Sequence, residues 1–167
     1  MSYSIYEASI AVMVRGLGNL SKIIDKAVAQ AKTEDKPLGE LLEARLAPDM
    51  HPFTRQIQIV SDTAKGAAAR LAGVEPPAMA DTETTFPELQ ARIAKTLDFL
   101  NSIKPEQLTG AEDREVVLKF PNGEMKFSGR DYVAGFVLPN FFFHVTTAYA
   151  LLRHKGIAIG KRDFLGG

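Results

Sequence analysis

The chain reads as an all-α protein, a four-helix bundle with one small β-hairpin between its third and fourth long helices. Three observations carry that expectation. Four segments repeat apolar residues at helical spacing, each bounded by recognisable cap or breaker residues. One short stretch switches to strict alternation around Asn122-Gly123. The composition, 46% hydrophobic and 24% charged over 167 residues, is that of an ordinary compact protein. A chain of this length fits a single domain, residues 1–167, burying roughly 70% of its unfolded surface.

The first helix is expected over residues 5–31, where Met13, Leu17, Leu20, Ile24, Ala27 and Ala31 lay one apolar stripe. Ser4 and Glu7 have the capping-box spacing for its start, and the polar run 32–36 ends it. A short amphipathic turn over 38–46 precedes Pro48. The second helix begins near Pro52, carries Phe53, Ile57, Val60, Ala64, Ala67 and Leu71, and closes at Gly73. Residues 74–84 form a long extended linker, long enough for the third helix to start at either end of the bundle. Thr85 and Glu88 open that helix, which carries Phe86, Leu89, Ile93, Leu97 and Leu100.

Between residues 114 and 127 the period becomes two, and Asn122-Gly123 signals a type I′ turn. Pairing about it sets Phe120 opposite Met125 and Leu118 opposite Phe127, on one apolar face that should pack on the bundle. The fourth helix, residues 128–155, is apolar around most of its circumference, which makes it central or part of a subunit interface. Pro139 should kink it. Residues 157–167 read as a short extended arm.

Several function classes drop out on composition. No cysteine means no disulfide framework, thiol nucleophile or Cys-ligated metal. Twenty basic against twenty acidic residues argue against a general nucleic-acid binder. The N-terminus lacks the pattern of a signal peptide. The richest apolar stretch, 133–152, is interrupted by Pro139, Asn140, His144 and two threonines, so no membrane span and a cytoplasmic location are expected.

Chemistry concentrates on the fourth helix. Asn140, His144 and Thr147 fall at i, i+4 and i+7, in one file along an apolar helix, and buried polar groups need partners. His144 is a candidate metal ligand or general base; the competing reading is a histidine hydrogen-bonded within the fold, with Asn140 bridging the break left by Pro139. His51, ahead of Pro52, is a candidate second ligand, or else it or Asp49 caps the second helix. Gln56 borders the apolar stripe of that helix and is the inward polar candidate. Gln58, Asp62 and Lys65 form an opposite polar file, most simply a solvated face. His154 lies in a basic last turn that suits a helix C-terminus. Phe141, Phe142 and Phe143 point three ways, so one ring meets a partner helix, a ligand or a second subunit.

The segments Met50-His51-Pro52-Phe53, Ala64-Lys65-Gly66, Arg70-Leu71-Ala72-Gly73, residues 81–89 (DTETTFPEL), Leu138-Pro139-Asn140-Phe141 with His144, and residues 160–166 resemble a bacterial family known as a domain of unknown function. That family is grouped with the DinB/YfiT-like superfamily of metal-dependent bundles. The resemblance implies an up-down-down-up bundle, commonly dimeric. It also implies a divalent metal (Zn, Ni or Mn) held by one histidine of the second helix and two histidines four apart on the fourth. Carried onto this chain, His144 matches a fourth-helix ligand and His51 the second-helix one, but Ala148 stands where the third ligand is expected. Two expectations follow: a degenerate metal or small-molecule site between the second and fourth helices, lined by Gln56, Asn140 and Thr147, or a non-catalytic homodimeric module in which the same residues form a hydrogen-bond network.

Overall fold

The computed structural model describes residues 3–167. Helix α1 (Val12–Thr33) follows a π-helical turn, Glu7–Ala11. The Ser4–Glu7 capping box forms: the Ser4 N–H donates to Glu7 Oε2 at 2.8 Å, and the Glu7 N–H donates to Ser4 Oγ at 3.2 Å. A single turn, α2 (Leu38–Leu42), leads to α3 (Phe53–Ala72). Pro52 holds the N-cap position of α3 with no side chain capping it, so neither Asp49 nor His51 plays that part. Gly73 ends α3 at φ +69°, in the left-handed region that glycine adopts without a Cβ penalty. Helix α4 (Phe86–Ser102) opens with the expected Thr85–Glu88 capping box and is followed by a 3₁₀ turn at Pro105–Leu108.

Helix directions follow from a few contacts. The first residues of α3 and α4, Phe53 and Phe86, pack with ring centroids 5.7 Å apart and planes tilted by 50°, and further along Ser61 Oγ lies 2.8 Å from Thr96 Oγ1. Those two helices are therefore parallel, and the extended strap between them exists to carry the chain back. Strands β1 (Glu115–Phe120) and β2 (Gly123–Ser128) then lead into a long helix made of α5 (Gly129–Asp131), a π-turn (Tyr132–Val137) and α6 (Leu138–His154). Gln56 with His144, Thr63 with Asn140 and Arg70 with Tyr132 run α6 antiparallel to α3. Gly16 against Phe141, and Gln30 against the Gly156 carbonyl, run it parallel to α1. The bundle is up-down-down-up. Its core includes fully buried Met13, Leu17, Leu20, Phe53, Ile57, Leu89 and Phe141, each worth roughly 1.5–3 kcal/mol of transfer free energy.

Three expectations are corrected. The hairpin pairs Leu118 with Met125 and Val116 with Phe127, so Pro121 and Asn122 make the loop and Gly123 already belongs to β2. Proline explains the slide. In the expected register Pro121 would flank the turn as a paired residue, and it has no N–H to give the ladder. The apolar face survives because the shift preserves parity, but only Val116 and Leu118 bury; Phe120 and Met125 at the tip stay exposed. The Pro139 break takes the form of the π-turn just before it, and Asn140 turns to Thr63 rather than bridging that break. The C-terminal arm is not extended. It forms α7 (Lys161–Leu165), seated on α1 by the Lys26–Asp163 ion pair and by Asn19 donating to the Phe164 carbonyl at 3.1 Å.

The helix Gly129–His154 has 26 residues and a most-apolar window of mean hydropathy 1.3, the length and composition of a membrane-crossing helix. In this fold one side of it supplies the core, through Val137, Phe141, Val145, Ala148 and Leu152.

Candidate functional site

The predicted polar file on α6 faces α3, and the structure partners each of its members. Asn140 Nδ2 donates to Thr63 Oγ1 at 2.8 Å. Thr147 spends its hydroxyl on the Phe143 carbonyl at 2.7 Å, one turn back on its own helix. His144 Nδ1 lies 2.6 Å from Gln56 Oε1, and Gln56 Nε2 donates to the His51 carbonyl at 3.0 Å. Gln56 is buried, as its place beside the apolar stripe predicted.

That pair of bonds fixes the chemistry of the imidazole. The Gln56 amide nitrogen is committed to His51, so its oxygen is the group facing His144 and can only accept. His144 Nδ1 must therefore carry the proton, which leaves the Nε2 lone pair open. Burial, with the positive charges of His51 and Arg55 nearby, holds the His144 pKa below its ordinary 6.5. At neutral pH the ring is thus neutral with one free nitrogen, the state needed to accept a proton or to ligate. An imidazole oriented through Nδ1–H by a protein oxygen is also how metal-bound histidines are commonly held.

A three-ligand metal centre is another matter. Ala148, one turn beyond His144, is fully buried and offers no donor atom. Among the described residues, no three His, Cys, Asp or Glu side chains come close enough to hold a metal. The three-histidine centre implied by the resemblance does not fit this chain. His51 is exposed beside Gln56, and His154 is exposed in the last turn of α6, as its basic neighbours suggested.

One cluster was not read from the sequence. Gln58, Asp62 and Lys65 are not a free solvated face: the strap 74–85 buries Gln58, and Asp62, although 38% exposed, is drawn with Lys65 into an ion cluster around Arg92, whose side chain is 1% exposed. Its guanidinium meets Asp62 at 2.8 Å, Glu83 at 2.9 Å and Asp81 at 3.0 Å, and also donates to the Ala80 carbonyl. Lys65 pairs with Asp62, Arg55 with Asp81, and Gln58 Nε2 donates to Glu83 at 2.9 Å. Burial alone would raise the Glu83 pKa, but hydrogen bonds from Arg92 and Gln58 outweigh it and hold the carboxyl below its usual value. The signal was present: Arg92 falls three residues after Leu89, inside the apolar stripe of α4.

The up-down-down-up bundle is a DinB-like fold. The chain belongs to the family described as Domain of unknown function (DUF1993), which it matches over residues 5–165. It is similar to a solved crystal structure of a DinB family member protein from Shewanella denitrificans, at 36% identity and a TM-score of 0.91, covering 98% of this chain and 92% of that one. No curated protein matches it.

Proposed function

We propose that this DinB-like protein keeps a two-histidine site between α3 and α6, where His144 presents Nε2 to a small polar ligand or a loosely held divalent metal. One observation carries the reading: Gln56 links the two histidines, bonding the His51 carbonyl with one end of its amide and His144 Nδ1 with the other. A metal there would have at most two imidazole ligands, with water or ligand completing the shell. Asn140, bonded to Thr63, ties α3 to α6, while Thr147 is spent on its own helix.

A second reading is favoured by that same pairing of every polar group in the file. In it the chain is a non-catalytic homodimeric module in the cytoplasm, associating through the outer face of α6, where Phe143 is 57% exposed. Titrating tag-free protein with Zn²⁺ while following the imidazole ¹⁵N signals separates the two. The site reading expects His51 and His144 to shift together and saturate at one equivalent. If neither moves while His144→Ala lowers the melting temperature, the network is structural.

A further inference from the structure

Two turns further along the same α3–α6 seam, a cavity of about 260 Å³ opens under the hairpin. That is slightly smaller than the roughly 300–1,000 Å³ of drug-sized sites and suits a one-ring molecule. Its polar lining is built mainly of donors. Arg70 Nη1 donates to the Tyr132 hydroxyl at 3.3 Å, and this is the one side-chain bond Arg70 makes among the described residues. Tyr132 is 2% exposed, and burial raises its pKa, so the phenol stays protonated with its own O–H unspent. Lys119, from the hairpin, and Asn140 complete the polar wall. The one carboxylate there, Asp62, is already held by Arg92 and Lys65. Glu124, across the ladder from Lys119, pairs with Lys126. Positive charge is therefore in excess in the cavity, and Phe120, Phe136 and Leu118 supply an apolar wall beside it.

Gly66 shows that the arginine is seated rather than merely exposed. A Cβ at that position would stand 2.6 Å from Arg70 Nη1, so the guanidinium folds back over the bare backbone of the preceding turn. The π-turn Tyr132–Val137 brings Tyr132 and Phe136 to the same opening, stacked with centroids 6.0 Å apart. Such turns recur at functional sites.

We propose that this cavity binds a small aromatic or apolar carboxylate, the carboxylate on Arg70 and the Tyr132 hydroxyl with Lys119 beside it, and the ring against Phe120 and Phe136. An arginine fork and a phenol donor match a planar carboxylate. His144 does not line this cavity, which shares only Thr63 and Asn140 with the seam, so the two readings can fail separately.

The test is a ¹⁵N NMR titration of the intact chain with benzoate. Saturable shifts are expected at Arg70, Lys119, Tyr132 and Asn140, with a dissociation constant of about 1 mM or below. Arg70→Gln should weaken binding about tenfold or more, and His144→Gln should leave it unchanged. Gly66→Ala is the sharper variant. It meets only the movable end of a side chain, so the helix should remain folded while displacement of Arg70 lowers the affinity. Shifts absent or spread elsewhere, Arg70→Gln or Gly66→Ala binding as the parent does, or inorganic phosphate binding as tightly as benzoate, would each overturn the proposal.

Discussion

Asp62 and Arg92 meet at 2.8 Å across the parallel α3–α4 interface, one carboxylate oxygen taking the guanidinium that every acidic side chain of the strap's Asp81–Glu83 segment also reaches. The ion cluster thus joins two helices and the connection between them. Removing its centre leaves Glu83, whose side chain is 11% exposed, without its cation. Arg92→Ala should cost about 2–4 kcal/mol, at the lower end because Asp62 and Asp81 are more than a third exposed. Thermal unfolding followed by circular dichroism should show a fall in Tm on the order of 10 °C. Arg92→Met, which keeps the apolar stem, should lose less.

Acid should attack the same cluster. The Glu83 and Asp81 carboxyls have native pKa values below their ordinary 4.5 and 3.8: burial acts to raise both, but hydrogen bonds and charge from Arg92 on Glu83, and from Arg55 and Arg92 on Asp81, prevail. A depressed carboxylate contributes stability that is complete above its unfolded pKa and is lost as the pH falls through the lower native one. Urea unfolding midpoints measured downward from pH 5 should therefore decline steeply below about pH 4.5, and Arg92→Met should flatten that decline. Parallel curves for the two proteins would disprove the linkage.

His144 acts in a higher window with the same sign. Burial and the charges of His51 and Arg55 lower its native pKa below 6.5, so the unfolded chain binds the proton first. Stability should be complete above about pH 6.5 and fall as the pH drops through the native value. Comparing Tm between pH 7.5 and 5 for the parent and His144→Gln isolates this contribution, which the variant should lack. Imidazole ¹⁵N shifts at pH 7.5 should report the proton on Nδ1.

Gly129 and Gly18 give a paired prediction on backbone approach. A Cβ at residue 129 would lie 1.8 Å from the Ala111 carbonyl oxygen, whereas at residue 18 nothing lies within 4 Å. Gly129→Ala should therefore force α5 away from the loop that receives the Arg130 N–H, costing several kcal/mol or preventing soluble expression. Gly18→Ala should stabilise by about 0.5–1 kcal/mol through helix propensity alone. Denaturant midpoints of the two proteins, against the parent, check both signs.

Local chemistry was legible in the sequence. The caps at Ser4, Thr85 and Ser128, the stop at Gly73 and the inward place of Gln56 depend on residues within one or two turns of each other. What escaped depends on distant chain. Asp62 looks unpartnered until α4 brings Arg92 to it and the strap, some twenty residues later, adds Asp81 and Glu83 to the same guanidinium. The hairpin register turned on one missing N–H at Pro121, which outweighed the Asn122-Gly123 signal. At the site, the file on α6 was readable as polar, but its partners Thr63 and Gln56 came only with the antiparallel docking of α3. The two π-turns had no reading, since a one-residue expansion leaves no periodic trace that short.

The last long helix touching both α1 and α3 has a consequence for synthesis. A ribosome releases α1, α3 and α4 first, and Phe141 cannot reach Gly16 until more than 120 further residues have emerged. Throughout that interval the trench that α6 will fill, marked by Gly16 on α1 and by Gln56 and Thr63 on α3, stands open. The protein is committed to closing late and from its C-terminal side, so a stalled or truncated product would present that trench to chaperones and proteases rather than fold around it.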